Sequence, residues 1–378
     1  MYNKYSKYIL IILLIIVQLS STLFAQKKQS AFIDSTDNAL DISHYLYNLH
    51  GLLPIISPIT EPAVGFGAAA VGVFFIPKKD DGSHKFKMPD IVGIGGGYTE
   101  NTTWFVGGGY IGFWNNDKIR YRGVTGYGDV KLRYYKDDGY ITGYLNFRLQ
   151  SFLILQQALF RIGNSGFMIG GKYQFSKTTV GFYENIPIPD IKIEDLEMNN
   201  SGIAIITEYE NYDNIFSPSK GLRANITYDQ YLEVLGGDRN FGLLSAFVHN
   251  YYPVIKDRWT AGIRFESKLS VGEVPFYKNP FVHLRGVAAM RYQGELTALI
   301  ETEQELMLSK RWSIVGFGGF GKAYSSLDDL SKNVNAWNVG TGFRYLIARQ
   351  FGLKMGLDIA RGPEQYAIYI VFGNSWLK

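Results

Sequence analysis

The chain has 378 residues, no cysteine and a formal net charge of +4. These exclude a disulfide framework, a thiolate nucleophile and a cysteine-bound zinc site, and so slight a charge argues against a nucleic-acid partner. With 46% apolar and only 19% charged residues, but 27 Tyr, 25 Phe and 42 Gly, the composition fits neither a disordered chain nor an ordinary helical domain.

Lys4 and Lys7 stand before an unbroken apolar run, Tyr8 to Val17, which gives way to small and polar residues ending at Leu23-Phe24-Ala25-Gln26. A basic start, a short apolar stretch and a small-residue cleavage site spell a secretory signal peptide over 1–25. The run is short for a membrane anchor, which needs about 20 residues. Residues 26–62 are expected to be a short periplasmic segment outside any barrel. Within it Ile42, Tyr45, Leu46 and Leu49 recur at helical spacing, behind Asp41 as a cap and ahead of Gly51 and Pro54. One short amphipathic helix is expected there.

Over 63–378 the period is two. Trp259, Ala261, Ile263, Phe265, Leu269 and Val271 fall on one face; Arg258, Thr260, Arg264, Glu266, Lys268 and Ser270 fall on the other. Soluble antiparallel sheets also alternate. These strands, however, are long beside the roughly five or six residues of soluble ones, and their oily rows carry aromatics near the ends, as interfacial girdles do. No later stretch is apolar for long enough to form a transmembrane helix. The expected fold is therefore all-β: a closed antiparallel transmembrane β-barrel whose oily face meets lipid and whose polar face lines a wet lumen.

At roughly 20 residues per strand and connection, the stretch from Ala63 to Gly373 holds about 16 strands. Fifteen can be placed, near 63–76, 90–99, 103–114, 119–131, 140–150, 166–176, 201–211, 221–232, 239–252, 258–272, 296–309, 312–323, 336–347, 350–360 and 364–373. A further one is expected inside 151–195. Turns are read at Glu100-Asn101-Thr102, Asn115-Asn116-Asp117 and Lys136-Asp137-Asp138-Gly139.

Chemistry-bearing patterns are scarce. The histidines, His44, His50, His84, His249 and His283, show no ligand spacing, so no metal is expected. Gly316-Phe317-Gly318-Gly319-Phe320-Gly321 matches GxGxxG, but no convincing helix starts at Lys322-Ala323-Tyr324. Glycines that permit close backbone approach in a strand are the preferred reading. No nucleophile set stands out. Neither a cofactor nor an enzymatic role is expected.

Two further stretches carry a resemblance. Asp213-Asn214-Ile215-Phe216-Ser217-Pro218-Ser219-Lys220-Gly221 resembles a turn, and Leu284-Arg285-Gly286-Val287 the Arg-Gly loop motif, of BamA/TamA-like outer-membrane assembly barrels, the bacterial surface antigen family. Ile59 to Gly67 and Met355 to Gly362 resemble a subgroup lacking POTRA domains. The resemblance implies that the connection from Gly272 to Gly294 is a long extracellular loop folded into the lumen. It departs from the family at Val287, where an aromatic is usual, at Gly319, where an acid usually holds the loop arginine, and after Trp376, where Leu377 and Lys378 follow.

Without that acid Arg285 needs another partner, because a guanidinium in a confined lumen should be paired. Glu301, Glu303 and Glu305 recur at period two on one face. Arg285 is expected to pair with Glu303, with Glu301 or Glu305 next in line. Asp358, in its matching stretch, joins them as a luminal partner.

The resemblance further implies a barrel in the outer membrane of a Gram-negative bacterium that inserts or moves protein or lipid. Its partners would be outer-membrane lipid and unfolded outer-membrane proteins or lipid as client, and its working edge a weak seam between strands 63–76 and 364–373. A passive solute pore and a structural surface-antigen barrel are the alternatives. Oligomeric state is left open.

Overall fold

The structure, a computed structural model, describes residues 32–47, 52–78, 89–137, 142–183 and 196–376. The leader read over 1–25 lies outside them. The chain divides into two units, one ending at Tyr47 and one starting at Asn48. In the first, a short antiparallel bridge joins Ile33 to Leu40, and helix α1 covers Ser43–Tyr47. The Asp41 carboxylate accepts the Ser43 N–H at 2.7 Å at the start of that helix. Leu49, assigned to the same apolar stripe, lies outside the described residues.

The second unit carries sixteen strands: β1 (Leu52–Ile59), β2 (Gly67–Ile76), β3 (Asp90–Thr99), β4 (Trp104–Trp114), β5 (Ile119–Asp137), β6 (Thr142–Arg161), β7 (Phe167–Phe182) and β8 (Glu197–Glu210), then β9 (Gly221–Tyr231), β10 (Phe241–Ile255), β11 (Trp259–Gly272), β12 (Leu296–Met307), β13 (Trp312–Tyr324), β14 (Asn333–Ala348), β15 (Leu353–Arg361) and β16 (Tyr366–Phe372). Each pairs antiparallel with the next in one sheet, in chain order. The sheet curls into a nearly closed barrel. Among the described residues no ladder joins β16 back to β1.

The alternation read in the sequence is inverted relative to a soluble protein. Along β11, Ile263 and Phe265 are exposed while Arg264 and Glu266, which alternate with them, are buried. Glu208, Asp229, Glu301, Arg344 and Asp358 are buried as well, while Ile226, Ile300, Phe320, Val339 and Ile359 face outward. Burying charge inside and exposing oil outside is stable only where the outer solvent is itself apolar. Tyr98 and Trp104 mark one rim of the outer face, Trp114, Trp259 and Trp312 the other, and all five are exposed. That is where amphipathic rings sit at a membrane interface.

Two expectations about the strands need correction. Among the described residues of 151–195 there is no further strand: β6 and β7 simply run on, as 20 and 16 residues, joined by a short turn, and 184–195 lie outside the described residues. The run Phe152-Leu153-Ile154-Leu155 is apolar on both faces, so the alternation signal fades inside a continuing strand. β5 carries on through Lys136 and Asp137, which pair with Gly143 and Thr142 of β6; Asp138 and Gly139 of the turn expected there lie outside the described residues. The missing strand is β1, at 52–59, inside the segment assigned outside the barrel. Pro54 and Pro58 read as breakers, but they pair with Gly72 and Ala68 of β2. Proline is tolerated on an edge strand, where the lost N–H costs no second ladder. The barrel therefore begins before residue 63, and its first edge is β1. Gly316–Gly321 lies wholly within β13, with no helix after it.

Candidate functional site

The connection 273–295 between β11 and β12 folds into the barrel. Its base is fixed by Phe276, packed against Met290 of the same loop and against Tyr134, Phe147 and Val180 of the tall wall made by β5–β7. Further along, Val282 N–H donates to the Tyr292 carbonyl at 2.8 Å, pinching the loop into an arm. Val282, Leu284, Val287 and Tyr292 of that arm pack on Leu299, Ala323 and Ala336 of the wall. Val287 is part of this apolar contact. Burying these side chains against the wall offsets the entropy of ordering so long a connection.

At the tip, Gly286 adopts φ +85°, the left-handed region that glycine enters without strain. A Cβ on it would lie 2.9 Å from the backbone nitrogen of Gly362, so the glycines of the two family-like motifs meet face to face. The Gly286 N–H donates to the Tyr369 hydroxyl of β16 at 2.8 Å. Ala289 N–H reaches the Glu61 carboxylate, in the β1–β2 connection, at 3.4 Å. The loop tip thus touches elements on both sides of the open edge. Burial holds the Glu61 carboxyl above its usual range, partly opposed by the N–H groups of Ala63 and Ala289.

This backbone turn aims Arg285 at the luminal wall. Its Nη1 lies 2.7 Å from Glu303 Oε2 and 2.7 Å from Asp358 Oδ2, and its Nη2 lies 3.3 Å from Glu301 Oε1. The guanidinium stacks on Phe317, 3.4 Å from the ring centre. Glu301 also receives Arg264 at 2.9 Å and Asn338 at 2.9 Å. Arg344 pairs with Asp358 through two bonds, and Arg264 with Glu266 at 3.1 Å. Three arginines therefore face four carboxylates, Glu266, Glu301, Glu303 and Asp358, inside the barrel. Each charge is offset by a hydrogen-bonded partner, as a confined ion needs. Glu305 shares the face but not the cluster: it pairs with Lys354 at 2.6 Å and takes a hydrogen bond from Ser313.

Gly319, where the sequence resemblance led us to look for an acid, lies in register with Glu301 on one side and Asn338 on the other. A Cβ there would lie 2.8 Å from Asn338 Oδ1 and 3.0 Å from Glu301 Cβ. The carboxylate is thus supplied from the neighbouring strand, and the glycine leaves it room.

At the other end of the barrel, where β1 starts and β16 ends, the turn 211–220 builds a second fixed element. Asp213 Oδ1 accepts the N–H groups of Ser219 and Lys220 at 2.9 and 3.1 Å. Asn214 Oδ1 accepts those of Phe216 and Ser217 at 2.8 and 3.0 Å, and its amide donates to Phe351 O at 2.9 Å. The β8–β9 turn is thereby tied to the β14–β15 turn across the mouth. Gly221, at φ +115°, sits against the Asn211 carbonyl and closes the turn. Pro218 is buried and, with Tyr251, Glu303, Glu305, Arg344 and Lys354, lines a small cavity of about 20 Å³.

No family model and no curated protein matches the chain. Solved structures do. BamA from Haemophilus ducreyi lacking POTRA domains 1–3 superposes with a TM-score of 0.57 at 13% identity, over 86% of this chain and 70% of that one. CdiB from Escherichia coli gives 0.60 at 10%, over 86% and 63%. CdiB from Acinetobacter baumannii gives 0.56 at 11%, over 85% and 59%. The chain has the fold of these barrels. It spans less than two thirds of either CdiB chain.

Several residues of the cluster were not singled out from the sequence: Arg264, Arg344, Asn338, Tyr369, Ser375 and Trp376. Arg264 and Arg344 had a signal, since both lie on the polar row of an alternating strand. Ser375 and Trp376 follow the last strand and had none.

One further loop residue has a measurable consequence. Lys278 lies 3.3 Å from the Tyr231 hydroxyl and 4.7 Å from its ring. Burial pushes its ammonium from 10.5 down to about 8, with Asp229 opposing and Lys172 adding to the shift. Between those values the unfolded chain holds a proton that the folded chain lacks, so stability rises with pH across that window. Urea unfolding in detergent should show a higher midpoint near about pH 9.5 than near about pH 7.5. Lys278→Met should flatten the difference.

Proposed function

We propose that this chain is an outer-membrane barrel of the assembly and translocation type, which moves polypeptide or lipid at the seam between β1 and β16. The observation that carries this reading is the break in an otherwise continuous wall: every strand is laddered to its neighbour except across that edge. The seam strands are short, 8 residues in β1 and 7 in β16, and Pro54 and Pro58 remove two donors of one parity from β1. An edge so poorly equipped to pair is one that can open. The BamA and CdiB barrels share the fold, and a leader read over 1–25 would deliver the chain to the outer membrane. A steady solute pore is disfavoured because the loop and its ion cluster occupy the lumen.

The chain lacks cysteine, which makes the seam directly testable. Cysteines placed one on β1 and one on β16 should cross-link under oxidation. In cells depleted of the native chain, the cross-linked form should fail to restore outer-membrane protein levels or lipid composition until a reductant is added. Falling levels of other barrels on depletion indicate protein as client; a changed lipid profile alone indicates lipid. Full complementation by the cross-linked form would rule the seam out.

A further inference from the structure

The luminal wall has two unlike halves. The ion cluster sits on the charged half, β11 to β15. Across β4, β5 and β6 the same face is oily. Arg120 fixes which face that is, because it pairs with Glu210 of β8 at 3.1 Å, a reach that only a luminal side chain has. On its parity β5 presents Arg122, Val124, Gly126 and Gly128. The register sets Ile111 and Phe105 of β4 opposite Arg122 and Gly128, and Leu155 and Leu153 of β6 opposite Val124 and Gly126. Gly107 of β4 pairs with Gly126, and a Cβ built on either would meet neighbouring backbone first, not a side chain. The glycines therefore floor a trough, walled by Phe105 and Ile111 on one side and by Leu153 and Leu155 on the other. Phe105 is 41% exposed and Leu153 39%. An oily surface left open to a wet lumen is one that a ligand gains by covering.

One end of the trough is charged. At the mouth where β1 starts, Arg120 pairs with Asp117 at 2.8 Å, Arg161 with Asp117 at 2.5 Å and Arg223 with Glu208 at 3.1 Å. Glu210 is Arg120's second partner, so each of these carboxylates is taken. Arg122 has no hydrogen bond or ion pair among the described residues, although it lies in the field of Arg223 and Glu208. Among the described residues there, four luminal arginines face three carboxylates, which leaves one positive charge over. Two further donors at this end are idle: Arg223 Nε and the Tyr212 hydroxyl are buried without a hydrogen-bond partner. A confined guanidinium calls for a partner, and its planar fork matches a carboxylate. We propose that the trough holds one long-chain fatty acid, with its carboxylate on Arg122 and its chain laid over the glycines. The strip from Arg122 to Gly128 is about 20 Å long at roughly 3.3 Å per residue, the reach of one extended chain. Its walls stand two strand spacings apart, about 10 Å, which admits one chain between their side chains and not the two of a phospholipid. The site goes beyond the seam reading, since binding here needs no opening between β1 and β16.

The test uses the full chain in lipid vesicles and a palmitate carrying a photoreactive diazirine near its chain end. After irradiation and digestion, mass spectrometry should find adducts on Phe105 and Leu153. Their neighbours Val106 and Phe152 are exposed on the opposite face and report contact from the bilayer. Arg122→Gln should cut the luminal adducts about ten-fold, for the loss of hydrogen bonds between charged groups, and leave the outer ones unchanged. It removes a charge that has no partner, so it should fold as the parent does, as judged by heat-modifiable migration. Leu153→Gln should lower labelling at Phe105 several-fold, and it decides if Arg122→Gln does not fold. Adducts confined to Val106 and Phe152, or luminal adducts that the deciding variant leaves at the parent level, overturn the site. A photoreactive phosphatidylglycerol that labels Phe105 and Leu153 as strongly as the palmitate does overturns the fatty acid as ligand. Luminal labelling in a chain whose cross-linked seam still complements would keep the site and discard the proposed function.

Discussion

Arg285→Ala should detach the luminal loop and cost the barrel on the order of 3–5 kcal/mol, the range for breaking a buried ion pair by removing one partner. Glu301, Glu303 and Asp358 all meet at this guanidinium. Without it they face one another with only Arg264 and Arg344 to neutralise them, in a cavity where carboxylate repulsion is poorly screened. The loss is larger than that of one contact, because the freed carboxylates stay buried. Two measurements separate the effects. Urea unfolding should report the lost stability, and a protease site engineered near Ala288 should become cleavable from the loop side. Arg285→Lys should recover only part, since an ammonium cannot stack flat on Phe317 while reaching several carboxylates. An Arg285→Ala barrel with parent stability and a protected loop would mean that the apolar arm of Val282, Leu284 and Val287 holds the loop unaided.

How far the sequence alone reaches differs from residue to residue, and for physical reasons. Strand parity is a local property with period two, so the rows through Arg264, Glu266, Glu301 and Glu303 can be assigned to the lumen with no tertiary information. That Asp358 also reaches Arg285 depends on β15 lying beside β14 and on the loop tip meeting Gly362, which no local pattern contains. Strand β1 escaped because Pro54 and Pro58 weigh as breakers in any local reading. Their tolerance comes from the strand being an edge, a property of the whole sheet. The same limit hides the tail. Trp376 meets Glu301 across 75 positions, and a tryptophan beyond the last strand looks like any chain end. Gly319 already implied that Arg285 takes its acid from elsewhere, but that Glu301 stands directly opposite this glycine follows only from the register.

The register of Gly319 opposite Glu301 supplies the second large expected effect. Gly319→Asp places an acid where the barrels that the sequence resembles carry one, yet here it should destabilise the barrel by about 2–4 kcal/mol, combining overpacking with a like charge beside a buried carboxylate. Its Cβ alone would crowd Asn338 Oδ1 and Glu301 Cβ, and its carboxylate would compete with Glu301 for Arg264 and Arg285. If one luminal carboxylate is what the site needs, and its strand of origin is secondary, removing the competitor should help. Glu301→Ala alone should also destabilise, because Arg285, Arg264, Asn338 and Trp376 all lose a shared acceptor. The double variant Glu301→Ala/Gly319→Asp should then be more stable than the sum of the two single losses, by at least about 1 kcal/mol in a double-mutant cycle. Unfolding midpoints of the four chains in the same detergent provide that number. Strict additivity would show that the carboxylate at 301 acts through its own strand alone. A positive coupling would mean that the loop arginine accepts its acid from either of two adjacent strands.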